Sequence, residues 1–130
     1  MMSLLALSVG CAGWSLRKDL AESFPLGGTH LERYARQLNC VEINSSFYRP
    51  HRRGTYQRWA RSTPGDFRFS VKLPKQITHI CRLTEAVAQI DQFLDQVGGL
   101  GEKLGPILAQ LPPSLAFESG TAEQFFTELR

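Results

Sequence analysis

The sequence predicts an α/β fold, a parallel (βα)4 unit equal to the N-terminal half of a TIM-like (βα)8 barrel, apparently truncated. Three observations predict it. Strand-like and helix-like stretches alternate four times along the 130 residues. That order implies parallel strands joined by right-handed helical crossovers. The second and third strands are apolar on one face and polar on the other. Strands covered by helices on both faces would be apolar throughout. A barrel accounts for the pattern, because helices cover its outside and polar groups gather in its lumen. A whole barrel needs about 250 residues, so this length supplies half of one, expected as a single domain over residues 1–130.

Each element has its own signal. Leu5 to Gly13 is an apolar run ending in a turn, predicting a first, buried strand. A loop with Pro25, Gly27 and Gly28 follows. Thr29 and Glu32 predict a capping box, and Leu31, Tyr34, Ala35 and Leu38 form one helical stripe that Asn39 can stop. Cys40 to Asn44 is the second strand. A short helix carries Tyr56, Trp59 and Ala60 on a core face, and Thr63-Pro64-Gly65 breaks it. Phe67 to Lys72 alternates cleanly, with Phe67, Phe69 and Val71 on one side and Arg68, Ser70 and Lys72 on the other. Thr84 is the expected cap of a helix bearing Leu83, Val87, Ile90, Leu94 and Val97, and Gly98-Gly99 its end. Leu104 to Leu111 is the fourth strand, closed by Pro112-Pro113. Thr121 with Gln124 predicts a second capping box, ahead of Phe125, Phe126 and Leu129.

Composition narrows the function classes without choosing one. The apolar fraction of 42% and charged fraction of 21% are ordinary for a globular protein. A net charge of +3 permits anionic partners and requires none. Cys11, Cys40 and Cys81 are far apart and odd in number, which predicts reduced, mostly buried thiols and a cytoplasmic chain. The apolar N-terminal run lacks a preceding basic residue and is too short to span a bilayer, so no membrane partner is expected. No nucleophile elbow, phosphate-binding glycine loop or zinc motif is present. No cofactor is implied and no metal site is expected.

In parallel α/β folds ligands sit at the C-terminal ends of the strands, where the strand-to-helix loops open. The residues there are Trp14 and Ser15, then Glu42, Asn44, Ser45 and Ser46 followed by Phe47 and Tyr48, then Lys72, then Gln110. Glu42 and Lys72 have the same parity on neighbouring strands and could meet across the lumen. Such a pair serves as a general base and electrostatic partner, or equally as a structural ion pair. His79, in the loop after the third strand, is a candidate acid or base, or simply a solvated side chain. Arg49, Arg52, Arg53, Arg58 and Arg61 fall within thirteen residues, and no acid lies between Ile43 and Pro64. With Tyr48 and Tyr56 nearby, that cluster could grip phosphate and stack on bases, or be an exposed basic face.

The motifs GCAGWS at 10–15, VEINSSFYRP at 41–50, FRFSVKLPKQITH at 67–79 and LGEKLGPILAQLPPS at 100–114 carry a resemblance. The chain resembles the YecE-like family of unknown function, DUF72, over nearly its whole length. The resemblance implies a TIM-like barrel with no established activity. It points, position by position, to Trp14, Glu42, Asn44, Tyr48, Lys72, His79 and Gln110. Cys11 stands where the family usually has a small hydroxyl residue, and four further βα units of the family are missing.

Three functional expectations follow. The first is a pocket for a small anionic or phosphorylated ligand, with Glu42, Lys72 and His79 as catalytic candidates and Trp14, Asn44, Tyr48, Arg49 and Gln110 binding. The second is a nucleic-acid-binding module built on the Arg49–Arg61 cluster. The third is a fragment that is inactive alone or active as a homo-oligomer covering its open sheet edges.

Overall fold

A computed structural model describes residues 7–130. Its sheet has four parallel strands in the order β1-β2-β3-β4: β1 Gly10–Ala12, β2 Cys40–Ile43, β3 Arg68–Lys72 and β4 Leu104–Leu108. Five helices connect or follow them: α1 Lys18–Ala21, α2 His30–Ala35, α3 Arg53–Arg61, α4 Val87–Val97 and α5 Ser119–Leu129. Strand order equal to chain order, all parallel, is the sheet of half a TIM-like barrel.

The core lies between one sheet face and the helices. Val41, Ile43, Phe67, Phe69, Val71 and Leu73 point into it and meet Tyr56 of α3, Ile90, Phe93 and Val97 of α4, and Phe125 of α5. The alternation in β3 is therefore observed as predicted, with Phe69 and Val71 fully buried and Arg68 exposed. The opposite sheet face is open. Gly10, Ala12, Glu42, Arg68, Ser70 and Pro106 line a shallow groove of about 420 Å³ there.

That openness corrects the expectation of a buried first strand. β1 spans only Gly10–Ala12 and is exposed along its length as an edge strand of the sheet. The start of the predicted run, Leu5 and Ala6, lies outside the described residues. A phenol holds β1 in place. Tyr34 Oη accepts from the Cys11 N–H at 2.8 Å and donates to the Cys40 carbonyl at 2.7 Å. Burial pushes the Tyr34 hydroxyl up to about 12.

The Thr29–Glu32 capping box forms as predicted, but α2 ends at Ala35, before Asn39. Asn39 instead fastens the chain ahead of β1, accepting from the Val9 N–H and donating to the Leu7 carbonyl. Thr84 is not the cap of α4. The helix starts at Val87, and the Thr84 hydroxyl turns back to the Cys81 carbonyl. The cause is local: Arg82, Leu83 and Glu85 all have positive φ, so no helix can run through them. Leu83 is buried as expected, while Val87 is exposed. Gly98-Gly99 ends α4 as predicted, with Gly98 its C-terminal cap. A tighter turn follows over Gly98–Lys103, and Gly101 within it leaves the helical conformation, with φ of 58°. At α5, Glu118 is the cap in place of Thr121, its carboxylate accepting from the Gly120 and Thr121 N–H groups. Those bonds and one from the Thr121 hydroxyl hold the Glu118 carboxyl below its ordinary range. The cysteines are free, but Cys11 is exposed and Cys40 and Cys81 half-buried, more open than predicted.

Candidate functional site at the strand ends

β2 and β3 run side by side in the register Glu42–Ser70 and Ile43–Val71. Their polar face therefore carries Glu42 level with Ser70, and Lys72 one step nearer the C-terminal end. Glu42 and Lys72 make no ion pair; the only ion pairs among the described residues are Arg17–Asp19 and Arg53–Asp95. The expected meeting of the two across the lumen is replaced by a different partner for the lysine. Lys72 Nζ lies 4.2 Å from the centroid of the Phe47 ring. A cation over an aromatic face is an electrostatic contact that leaves the ammonium donors available.

Phe47 is the centre of the cluster. It sits in a helical turn, Ser45–Phe47, that follows β2 directly. Ser46 fixes that turn: its buried hydroxyl donates to the Lys72 carbonyl at 2.6 Å, with the Ile43 carbonyl 3.1 Å away. Tyr48 meets the Phe47 ring edge-on at 5.0 Å, and His79 does so at 5.1 Å. His79 lies in a wide turn, Gln76–Ile80, and its Nδ1 is 2.8 Å from the Thr78 hydroxyl. Lys72, His79 and Tyr48, drawn from three chain segments, thus share one aromatic ring. Asn44 stands at the start of the same turn, with no hydrogen bond to its side chain among the described residues.

The other predicted residues are placed elsewhere. Trp14 packs edge-on against Trp59 at 4.9 Å and Phe69 at 6.4 Å, so its ring is joined to the core. Gln110 lies two residues past the end of β4 and is exposed. Arg49 is exposed and follows Tyr48 directly in the chain. His51, whose Nε2 is 2.7 Å from the Ser45 hydroxyl, is held below the usual imidazole range by burial and by the Arg49 charge.

Phe47 has no polar group and so is not among the catalytic or binding residues expected from the sequence, although a lone aromatic between SS and YR in a polar loop is a visible signal. Lys103 is absent from that set too. Its ammonium donates to the Ala60 carbonyl at 2.5 Å and the Thr63 carbonyl at 2.7 Å. Burial holds that lysine below its ordinary value. Among the described residues no group of three or more His, Cys, Asp or Glu side chains could hold a metal ion, and no helix is long and apolar enough to cross a membrane.

Parallel strands in chain order, with polar side chains at their C-terminal ends, define a protein of the TIM-barrel-like class. Comparison with known proteins gives the family. The family described as "Protein of unknown function DUF72" matches residues 8–130, and the chain belongs to it. It is 36% identical over 104 residues to the UPF0759 protein YecE of Escherichia coli strain K12. That alignment covers 80% of this chain and 37% of YecE. A crystal structure of a DUF72 family protein from Enterococcus faecalis V583 superimposes with a TM-score of 0.75 at 20% identity, covering 94% of this chain and 45% of that one. A second, from Thermotoga maritima MSB8, gives a TM-score of 0.69 at 26% identity, covering 94% and 50%. The chain thus spans half or less of the length of these relatives.

Proposed function

We propose that the strand-end cluster binds a small anionic ligand, with Lys72 as its main electrostatic contact. The observation that carries this reading is the lysine itself. Its charge is held at a fixed place over Phe47, no carboxylate among the described residues pairs with it, and its donors remain free. A positioned cation with no counter-ion at the C-terminal end of a parallel strand is what an anion-binding group requires. Arg49 adds a second positive charge, Asn44 and Tyr48 orient the ligand, and His79 supplies a titratable group on the same ring. Glu42, one step deeper on the polar face, is the proton acceptor of any acid–base chemistry. Trp14 and Gln110 act at the margin.

Titration calorimetry with inorganic phosphate and glycerol phosphate tests the reading. Saturable binding that weakens by roughly tenfold in Lys72→Met is expected, the value of about one charge-assisted hydrogen bond. Phosphate binding that survives Lys72→Met unchanged would reject the assignment.

A second reading is favoured by one observation: Arg52, Arg58 and Arg61 are exposed, and none of them has a carboxylate partner among the described residues. Arg53 differs, because it pairs with Asp95 and donates to the Asp95 carbonyl. A nucleic-acid interface on this face predicts binding of single-stranded DNA that falls steeply with added salt. Binding indifferent to salt, or none at low salt, would dismiss it.

A further inference from the structure

The Ser45 hydroxyl lies 2.7 Å from Nε2 of His51, its one hydrogen-bond partner among the described residues. The geometry points to a nucleophilic dyad, in which Ser45 Oγ attacks the acyl carbon of a small carboxylic ester and His51 Nε2 takes the hydroxyl proton.

Four observations carry the inference. The first is access. Ser45 is exposed and opens the turn that follows β2, at the end of the sheet where ligands reach a parallel α/β fold. The second is orientation. Tyr56 and Trp59 of α3 meet the His51 ring edge-on, at 5.7 and 5.2 Å. Tyr56 is buried, so a ring anchored in the core fixes the imidazole, the part a carboxylate plays in a Ser-His-Asp triad. The third is protonation. No acid lies between Ile43 and Pro64, and no carboxylate pairs with His51 among the described residues. Burial and the Arg49 charge favour the neutral ring, so at neutral pH His51 is an uncharged base. With the ring proton on Nδ1, the Ser45 hydroxyl donates to Nε2. The fourth is a supply of donors on either side of Ser45. The Ser46 N–H and the Asn44 side chain have no hydrogen-bond partner among the described residues. The amide after a nucleophilic serine is where acyl-transfer sites take one donor for the developing oxyanion.

The chemistry is a double displacement. The Oγ–C bond forms as the hydroxyl proton passes to Nε2. The ester C–O bond then breaks, and the imidazolium returns the proton to the departing alcohol. Water attacks the acyl-serine with His51 as base, releasing the acid and restoring Ser45.

The dyad uses neither Lys72 nor its ligand, so it and the phosphate titrations succeed or fail separately. The probes are an ethyl fluorophosphonate and p-nitrophenyl acetate, added to the chain, to Ser45→Ala and to His51→Gln. The fluorophosphonate forms an Oγ–P bond and expels fluoride, and peptide mass spectrometry locates the adduct. Expected is modification of Ser45 roughly a hundredfold faster than of exposed Ser23, with a similar loss in His51→Gln. Release of p-nitrophenolate should fall to the background rate in Ser45→Ala. A pH profile of the native chain keeps the test sound where His51→Gln fails to fold. Modification of Ser45 should rise with pH and level off by about pH 7 as His51 loses its proton. Tyr56, pushed up to about 12, stays neutral across that range. An unassisted serine would keep gaining with hydroxide. Ser45 reacting no faster than Ser23, an undiminished rate in His51→Gln, undiminished p-nitrophenolate release in Ser45→Ala, or a profile without a plateau would each overturn the proposal.

Discussion

The Ser46 hydroxyl donates to the Lys72 carbonyl at 2.6 Å, which ties the turn after β2 to the end of β3. Two chain segments 26 residues apart are joined there by one buried hydroxyl. Phe47 is therefore held beneath Lys72 by its neighbour in sequence.

Ser46→Ala removes that tie and leaves a buried carbonyl short of a donor. A loss of about 1–3 kcal/mol is expected, read from urea unfolding. Ser23→Ala, at an exposed position, should change stability by no more than about 0.5 kcal/mol. Equal effects of the two would contradict the role given to Ser46.

Alkali should unfold the protein through its buried phenols. Burial pushes Tyr34 up to about 12, and Tyr56 likewise to about 12. Both are raised above the unfolded value of about 10. Their stabilisation is therefore complete below about pH 10 and is lost as pH rises towards the folded value. Far-ultraviolet circular dichroism followed against pH should show the transition in that window. Tyr56→Phe should shift it upward, since phenylalanine has no proton to lose.

Lys103 acts as a distant cap for α3. Its ammonium donates to carbonyls at the helix end, where the macrodipole is negative. Lys103→Met keeps the stem and deletes the charge, and should cost about 1–2 kcal/mol in thermal or urea unfolding. Substitution of exposed Lys75, used as a control, should cost nothing measurable.

Gly10 has no room for a side chain. A Cβ there would overlap the Cys40 carbonyl oxygen and crowd the Tyr34 hydroxyl. Gly10→Ala is expected to detach β1 from β2, detected as faster hydrogen exchange at the Cys11 and Gly13 amides. Gly65→Ala, where a Cβ would meet open space, should leave exchange unchanged.

Among the described residues, β1 and β4 each have a neighbouring strand on one side only. Unpaired edges recruit other strands. Light scattering on a gel-filtration peak should therefore give a mass above the 14.6 kDa of one chain. A monodisperse monomer would mean that the edges protect themselves.

Much of this architecture was legible in the sequence because it rests on periodicity. The alternation of Phe67 to Lys72 and the Thr29–Glu32 box need only neighbours in the chain. The failures have a common cause. Thr84 and Thr121 looked like caps, yet a left-handed stretch and the longer reach of Glu118 set the true helix starts. Parity correctly put Glu42 and Lys72 on one face, but register decided what each could touch. An aromatic partner for Lys72 depends on how the Ser45–Phe47 turn folds back, and no periodic signal encodes that.

The edge-on contact of Trp14 with Trp59 at 4.9 Å has a use of its own. These are the chain's two tryptophans, one following β1 and the other in α3. Indoles this close share their excited states, so together they give an exciton couplet that neither gives alone. The couplet is a built-in gauge of the β1 edge. Its disappearance while the rest of the spectrum stays intact would mark the moment when the first strand lets go of the sheet.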